Sequence, residues 1–157
     1  MARAAKILNE LHCPFVINQN RYSILDRTVE HNGLLDRAIS EKKGVIVFSP
    51  LAQGLLSGRY LDGIPSDSRV RTDGRFLKEG NISEQMLERI RRLDKIASSR
   101  GQTLAQMALA WLYAKPGITS VLIGASRPEQ ILENLKMTGN LEFTSEELCE
   151  IDRAALS

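Results

Sequence analysis

The run SVLIGASRPEQILENLK, residues 120–136, changes character halfway, from four apolar and small residues through Gly-Ala to a polar-tipped helical pattern. A strand that delivers the chain to a helix N-terminus makes a place for an anion. The first helical N–H groups lack partners, and the helix dipole is positive there. Arg127 sharpens this, because a cation in the first turn opposes the dipole unless an anion joins it, and a guanidinium fork suits phosphate. The plainer reading is that Ser126 and Glu129 form an S-x-x-E capping box, which accounts for both structurally. Two other residues could serve a ligand. Gln19 ends an apolar run with an amide that donates and accepts, and Phe48 ends another with a flat face for stacking. Each could equally cap a strand or fill a core.

The spacing of apolar residues predicts the elements that would position them. Ile7, Leu8 and Leu11 mark an amphipathic helix over 2–11, and a strand at 15–19 follows Pro14. Leu34, Leu35, Ala38 and Ile39 form a helix closed by Gly44. VIVF is a second strand, stopped by Pro50. A helix over 84–100 buries Leu87, Ile90, Leu93 and Ile96. Thr103 with Gln106 opens TLAQMALAWLYA, apolar nearly all round and therefore sandwiched between other elements. SVLIG is a third strand. Its helix divides into a polar side, with Ser126, Gln130, Glu133 and Asn134, and an apolar side, with Ile131, Leu132 and Leu135. A last helix starts at Thr144, with Glu147 three residues on.

Short apolar strands alternating with helices predict parallel βα units. Ligands in such folds gather at the carboxyl ends of the strands, where Gln19, Phe48, Ser49 and residues 124–127 lie. Between Ser49 and Ser83 no periodicity holds, and a connection this long reads as a lid over the strand ends.

Composition sets the class. The chain has 157 residues, 43% hydrophobic and 25% charged, which is globular and enough for one domain with a core. A net charge of +2 is too mild to argue for nucleic acid. No apolar stretch approaches the roughly 18 residues of a membrane span. Cys13 and Cys149 have no CxxC pairing and suit a reducing cytoplasm, with the thiols as minor core members.

Three stretches in order, INQNRYS, FSPLAQGLLSGRYLDGIP and VLIGASRPEQILENL, resemble the C-terminal part of aldo-keto reductases. The nearest branch is that of the bacterial glyceraldehyde-3-phosphate reductases and potassium-channel β subunits. The resemblance implies an α/β fold, a partial (β/α)8 TIM barrel made of the last three βα units, over residues 1–157 as one segment. It implies NADP(H), a small-molecule dinucleotide, bound across the strand ends without a G-x-G-x-x-G turn. By this resemblance Gln19 holds the nicotinamide carboxamide and Phe48 stacks on its ring. Ser49, Pro50, Leu51, Ala52 and Gln53 line the pyrophosphate, and Arg59 and Arg69 clamp phosphates from the long loop. Gly124, Ser126 and Arg127 meet the adenosine 2′-phosphate, and Gln130, Glu133 and Asn134 face the adenine.

The family's catalytic Asp, Tyr, Lys and His belong to the first half of the barrel. Neither His12 nor Tyr22 matches a catalytic position, so the expected chain carries a cofactor site, no metal and no catalytic group. It is expected to be a truncated gene product, an incomplete reading frame or one half of a split reductase, inactive by itself. The alternative is a non-catalytic nucleotide-binding or interaction module. Both readings imply a homo-oligomer or a missing N-terminal half, since the inward faces with Val16, Val45, Val47 and Val121 lose a barrel's packing.

Overall fold

The computed structural model describes residues 2–13, 15–61 and 82–156. Helix α1 (Ala2–Glu10) precedes strand β1 (Ile17–Arg21), and the helical turn α2 (Thr28–His31) and α3 (Leu34–Ser40) lead to β2 (Gly44–Phe48). After a 3-10 helix (Ala52–Ser57) come α4 (Glu84–Ser99), α5 (Leu104–Tyr113) and β3 (Ile118–Val121). The chain closes with α6 (Pro128–Leu135), a 3-10 turn (Lys136–Gly139) and α7 (Ser145–Leu156). The strands lie parallel in the order β1-β2-β3, as the alternation of strands and helices predicts.

Local chemistry accounts for most boundaries. Thr103 and Gln106 form the predicted capping box, and so do Thr144 and Glu147, each satisfying two orphan N–H groups. Ser83 caps α4 by accepting from the Met86 N–H at 3.2 Å. Helix α5 is buried along nearly its whole length and packs against α4, α6 and β3, as its all-round apolar sequence requires. Arg100 fastens the α4–α5 junction. Its nearly buried side chain pairs with Glu147 at 2.6 Å, donates to the Gln102 Oε1 at 3.0 Å and lies 3.7 Å from the Phe143 ring centroid.

Several expected boundaries move. The first strand starts at Ile17 rather than at Phe15, which lies before it. Gly44 does not close a helix but opens β2; α3 ends earlier, where Lys42 takes the left-handed turn with φ 54°. The third strand begins two residues before Ser120 and ends at Val121. There β2 and β3 slip register between Val45 and Ile46, and the Thr119 hydroxyl takes the Val45 N–H at 3.2 Å. Both cysteines are exposed rather than core members. Of the long connection expected over 49–83, residues 62–81 lie outside the described residues, and its start is the buried-anchored 3-10 helix.

Among the described residues the sheet is covered on one face only. Val45 and Val47 are fully buried beneath the helices, and Val121 packs against the same core. This corrects the expectation that these valines look into a barrel interior; strand alternation puts them on the helix side. Val16 precedes β1 and is 74% exposed, so it faces no interior either. The opposite face carries Ile17, Gln19 and Arg21 beside Gly44, Ile46 and Phe48, with Ser120 opposite Ile46. Ile17, Gln19, Arg21, Phe48 and Ser120 on it are exposed. A second apolar surface lies beside β3, where Leu122, Ile123, Ile131, Leu132 and Leu135 are all exposed.

Both outer strands thus present unpaired edges flanked by apolar side chains. The 157-residue polypeptide is expected to self-associate at micromolar concentration, as a two-fold dimer that covers these surfaces. Light scattering coupled to size exclusion reads the mass, and a compact monomer of 17.5 kDa contradicts it.

Candidate functional site

The candidate residues fall into two groups; Phe48 ends β2, but Gln19 is the middle residue of β1, which runs on to Arg21 rather than ending at Gln19 as its sequence suggested. Gln19 and Phe48 project from the same open face, since Gln19 pairs with Ile46 and Phe48 lies two residues further along β2. Both are exposed, so the amide and the ring are presented rather than packed. Beyond Phe48 the backbone turns left-handed at Ser49 (φ 53°), Ala52 (φ 47°), Gln53 (φ 61°) and Gly54 (φ 100°). A non-glycine residue in this region costs about 1 kcal/mol, so the surroundings must hold it there. Leu55 and Leu56, both buried, supply that hold. Leu51 (φ −94°, ψ 20°) followed by Ala52 is a right-then-left pair of the kind that curls N–H groups into an anion concavity. The Gln53 Oε1 is buried there without a hydrogen-bond partner. Pro50 is buried and Leu51 half-buried behind this turn, and Arg59 is exposed just after it. Arg69 lies outside the described residues.

The second group sits at the start of α6. Gly124 has open space around its Cα, and Ser126 and Arg127 are exposed. Arg127 occupies the N-cap with extended backbone (φ −143°, ψ 144°) and Pro128 opens the helix, so the guanidinium stands just outside the first turn. The expected Ser126–Glu129 capping box does not form: α6 has no side-chain cap. Gln130 reaches back instead, its Oε1 accepting from the Ser126 N–H at 2.8 Å. No residue of α6 is buried, and its apolar side faces outward. The polar side is turned toward α5, where the Gln106 Nε2 donates to the Glu133 backbone oxygen at 2.9 Å and to its Oε1 at 3.0 Å. Lys136 takes the other Glu133 oxygen at 2.6 Å, and Asn134 is half-buried beside it. Glu133 is thus held from two sides, while Ser126 and Arg127 stay presented.

A third cluster lies under the strand ends and has no counterpart among the sequence-derived candidates. Tyr22, buried just past β1, donates from its hydroxyl to Glu30. Arg27 pairs with Glu30 and with Asp152, each at 2.7 Å. Lys115 lies 3.6 Å from Glu30. Arg27 and Lys115 also sit 4.6 Å and 4.3 Å from the ring centroid of Trp111, which is buried between them. Burial and then the hydrogen bond to Glu30 push the Tyr22 phenol far above its ordinary value, so it stays a protonated, enclosed donor. A phenol in that state is enclosed and committed to Glu30. His12 lies before the amino end of β1, away from the strand ends that carry the candidates. No sequence period links positions 22, 27, 30, 111, 115 and 152; the Y-x4-R-x2-E spacing was the available signal. Among the described residues no group of His, Cys, Asp and Glu is placed to hold a metal, and no helix is long and apolar enough to cross a membrane.

The model of the aldo/keto reductase family matches residues 1–156. The L-glyceraldehyde 3-phosphate reductase of Escherichia coli K12 is 46% identical over 154 residues, 96% of this chain and 44% of that protein. A protein named as a voltage-gated potassium channel β subunit in Schizosaccharomyces pombe is 37% identical over 142 residues, 87% of this chain and 41% of its own length. The solved thermostable aldo-keto reductase Tm1743 superposes with a TM-score of 0.68 at 28% identity, over 96% of this chain and 43% of that one. The glycerol dehydrogenase of Gluconobacter oxydans, at 24% identity, shares the fold with a TM-score of 0.78 over 97% of this chain and 45% of its own. The chain therefore spans less than half the length of the relatives it matches, and its sheet is part of their barrel.

The cluster around Trp111 also sets a pH dependence. Burial raises the Glu30 carboxyl, but hydrogen bonds from Arg27 and Tyr22, with the charges of Arg27 and Lys115, outweigh it and hold Glu30 below the usual range. At Asp26 burial is likewise outweighed, by hydrogen bonds from Thr28 and the Arg21 charge. A carboxyl depressed by folding adds stability above its unfolded value, about 4 for these groups, and loses it as pH falls through the folded value. Urea midpoints followed by Trp111 emission should therefore hold steady from about pH 7 to 5 and fall below that. Glu30→Gln should lower the plateau and flatten the fall; an unchanged slope in this variant contradicts the assignment to Glu30.

Proposed function

The chain belongs to the aldo/keto reductase family, and from that premise we propose that these residues form the NADP(H)-binding part of a reductase of aldehydes and ketones. The observation that carries the reading is the grouping at one end of the sheet of a presented amide, a presented ring, a left-handed backbone turn and an arginine at a helix start. These residue types fit an extended dinucleotide in order. Gln19 pairs with the carboxamide and Phe48 stacks on the nicotinamide ring. The turn at 49–53 takes the pyrophosphate. Arg59, exposed just after the turn, is assigned to the phosphates, as is Arg69, which lies outside the described residues. Gly124, Ser126 and Arg127 address the 2′-phosphate, and Gln130, Glu133 and Asn134 lie along the adenine side. When bound, NADPH supplies hydride to a carbonyl carbon.

The residues of this chain bind and orient; they do not supply the proton. Among the described residues Tyr22 is committed to Glu30 and enclosed, and Tyr60, whose ring lies beside Gly54 after the strained turn, is buried as well. On this reading the remaining barrel strands, present in the relatives and beyond the span matched here, bring the acid and cover the open sheet face. The reading also places the protein in the cytoplasm, where NADPH is available to it.

Titration calorimetry of the chain with NADP(H) and NAD(H) tests the assignment. NADP(H) should bind tighter, and Arg127→Ala should lose about tenfold in NADP(H) affinity with NAD(H) unchanged, as expected for one charge-assisted contact. Equal affinities for the two cofactors sink the 2′-phosphate assignment.

A second measurement follows NADPH absorbance with methylglyoxal or glyceraldehyde. Missing general acid catalysis costs on the order of 10²–10⁴-fold, so the homogeneous chain should show no turnover above the blank. Robust turnover would mean that the catalytic residues are present after all.

A further inference from the structure

Tyr22 is placed differently from every other residue near the strand ends, because its backbone and its side chain serve opposite faces of the sheet. Arg21 pairs with Phe48 at the last register position of β1 and β2. The next amide, that of Tyr22, donates to the Phe48 carbonyl at 3.4 Å and closes the ladder. The tyrosine ring goes the other way, into the core, 5.4 Å from Trp111 with the planes at 60°. Immediately after it the chain folds back. Ser23 and Asp26 bridge, the Asp26 carboxylate accepts from the Thr28 N–H at 3.2 Å, and Arg21 Nε donates to Asp26 at 2.7 Å. This tight turn is what returns Arg27 and Glu30 to lie over Tyr22 and Trp111.

A phenylalanine would fill the same space as Tyr22 without needing a partner. Enclosing a phenol together with a carboxylate costs desolvation that burial of a ring alone does not. That cost is met only by directional bonds. Glu30 receives Tyr22, Arg27 and Lys115, and Arg27 carries the tension on to Asp152 in α7. Four separate segments thereby fix one phenol, and the residue bearing it holds the carbonyl of Phe48. Buried ionic networks of this kind add little net stability but select one geometry.

We propose that Tyr22 is a positioning residue, held by Glu30 and the Arg27–Trp111–Lys115 stack, that sets the height and tilt of the Phe48 ring for a planar ligand. The proposal rests on the reading that Phe48 stacks a nicotinamide. It concerns the ring end of the site alone, since Ser126 and Arg127 lie just before α6, and neither they nor α6 bond to this cluster among the bonds described.

The test compares two ligands on the same chain: NADPH, and adenosine 2′,5′-bisphosphate, which keeps the phosphate end and lacks the nicotinamide. Tyr22→Phe keeps the ring and removes the bond to Glu30. It should weaken NADPH about tenfold while leaving the bisphosphate unchanged, because loss of one buried hydrogen bond displaces only the ring end. A residue with a merely structural role would move both affinities together or neither, and either result overturns the proposal while the cofactor reading stands. Trp111 is the only tryptophan, so its emission reports directly whether the variant is folded. Should Tyr22→Phe unfold, Glu30→Gln carries the same comparison; it keeps an acceptor for the phenol and should give a smaller selective loss. If the wild-type chain binds NADPH no more tightly than the bisphosphate, the nicotinamide reading fails and the proposal falls with it.

Discussion

Parallel strands cannot be joined by hairpins, and the crossovers that join them here fall on the same side of the sheet. Right-handed connections through α3 and through α4–α5 both place their helices over Val45, Val47 and Val121. All of the fully buried apolar volume is therefore built on one face, around Trp111, Leu104, Met107 and Leu112 of α5. The other face carries Gln19, Ile46 and Phe48 and, among the described residues, has no layer of its own. A strand pattern that satisfies a helix layer on one side and presents an amide and an aromatic ring on the other suits the interior end of a barrel. The same one-sidedness explains the exposed leucines of α6. That helix has α5 on its polar flank, through Gln106 and Glu133, and no described residue covers its apolar flank.

The charged cluster around Trp111 follows from this arrangement. With helices on one side only, the carboxyl ends of β1 and β2 would be held by a few ladder bonds and by loop backbone. Arg27, buried against the Trp111 ring and bound to Glu30 and Asp152, ties the turn after β1 to both α5 and α7. Burial alone would disfavour every charge in it, and the Lys115 amine is indeed pushed below its ordinary value by burial and the nearby Arg27 charge. The cluster persists because Arg27 pairs with Glu30 and Asp152 at hydrogen-bond distance and Lys115 faces Glu30 at 3.6 Å.

The fold was legible where a single local rule decided the outcome. The Thr103 and Thr144 caps, the apolar stripe of α4 and the all-round burial of α5 read directly from spacing, because no tertiary contact competes with them. The Ser126 cap did not read correctly, since an S-x-x-E pattern cannot show that Gln130 one residue further will take the Ser126 N–H. Gly44 misled for a similar reason. A glycine after a helix suggests a C-cap, but Lys42 supplied the left-handed turn, and Gly44 is needed where Thr119 and Ile17 crowd β2. The strand-end candidates were legible as residue types at predicted strand ends. Their support was not: Tyr22 reads as one more aromatic in an apolar run, and its partners come from positions 27, 30, 111, 115 and 152, which only the closed fold brings together.

The two ends of the site are built with unequal stiffness, and the difference has a chemical logic on the proposed reading. The phosphate end rests on α6, a helix with no buried residue, where Ser126 and Arg127 are exposed. Electrostatic contacts tolerate small displacements, because a guanidinium and a helix terminus attract a phosphate over a broad range of positions. The ring end rests on Phe48, whose carbonyl is held by Tyr22 and whose following turn is strained at Ser49, Ala52 and Gln53. Hydride transfer tolerates little displacement, since reacting atoms must approach to about 3–3.5 Å in line. On the proposed reading, the more closely held end is the one where geometry controls the rate, and the exposed end is the one that needs only to attract.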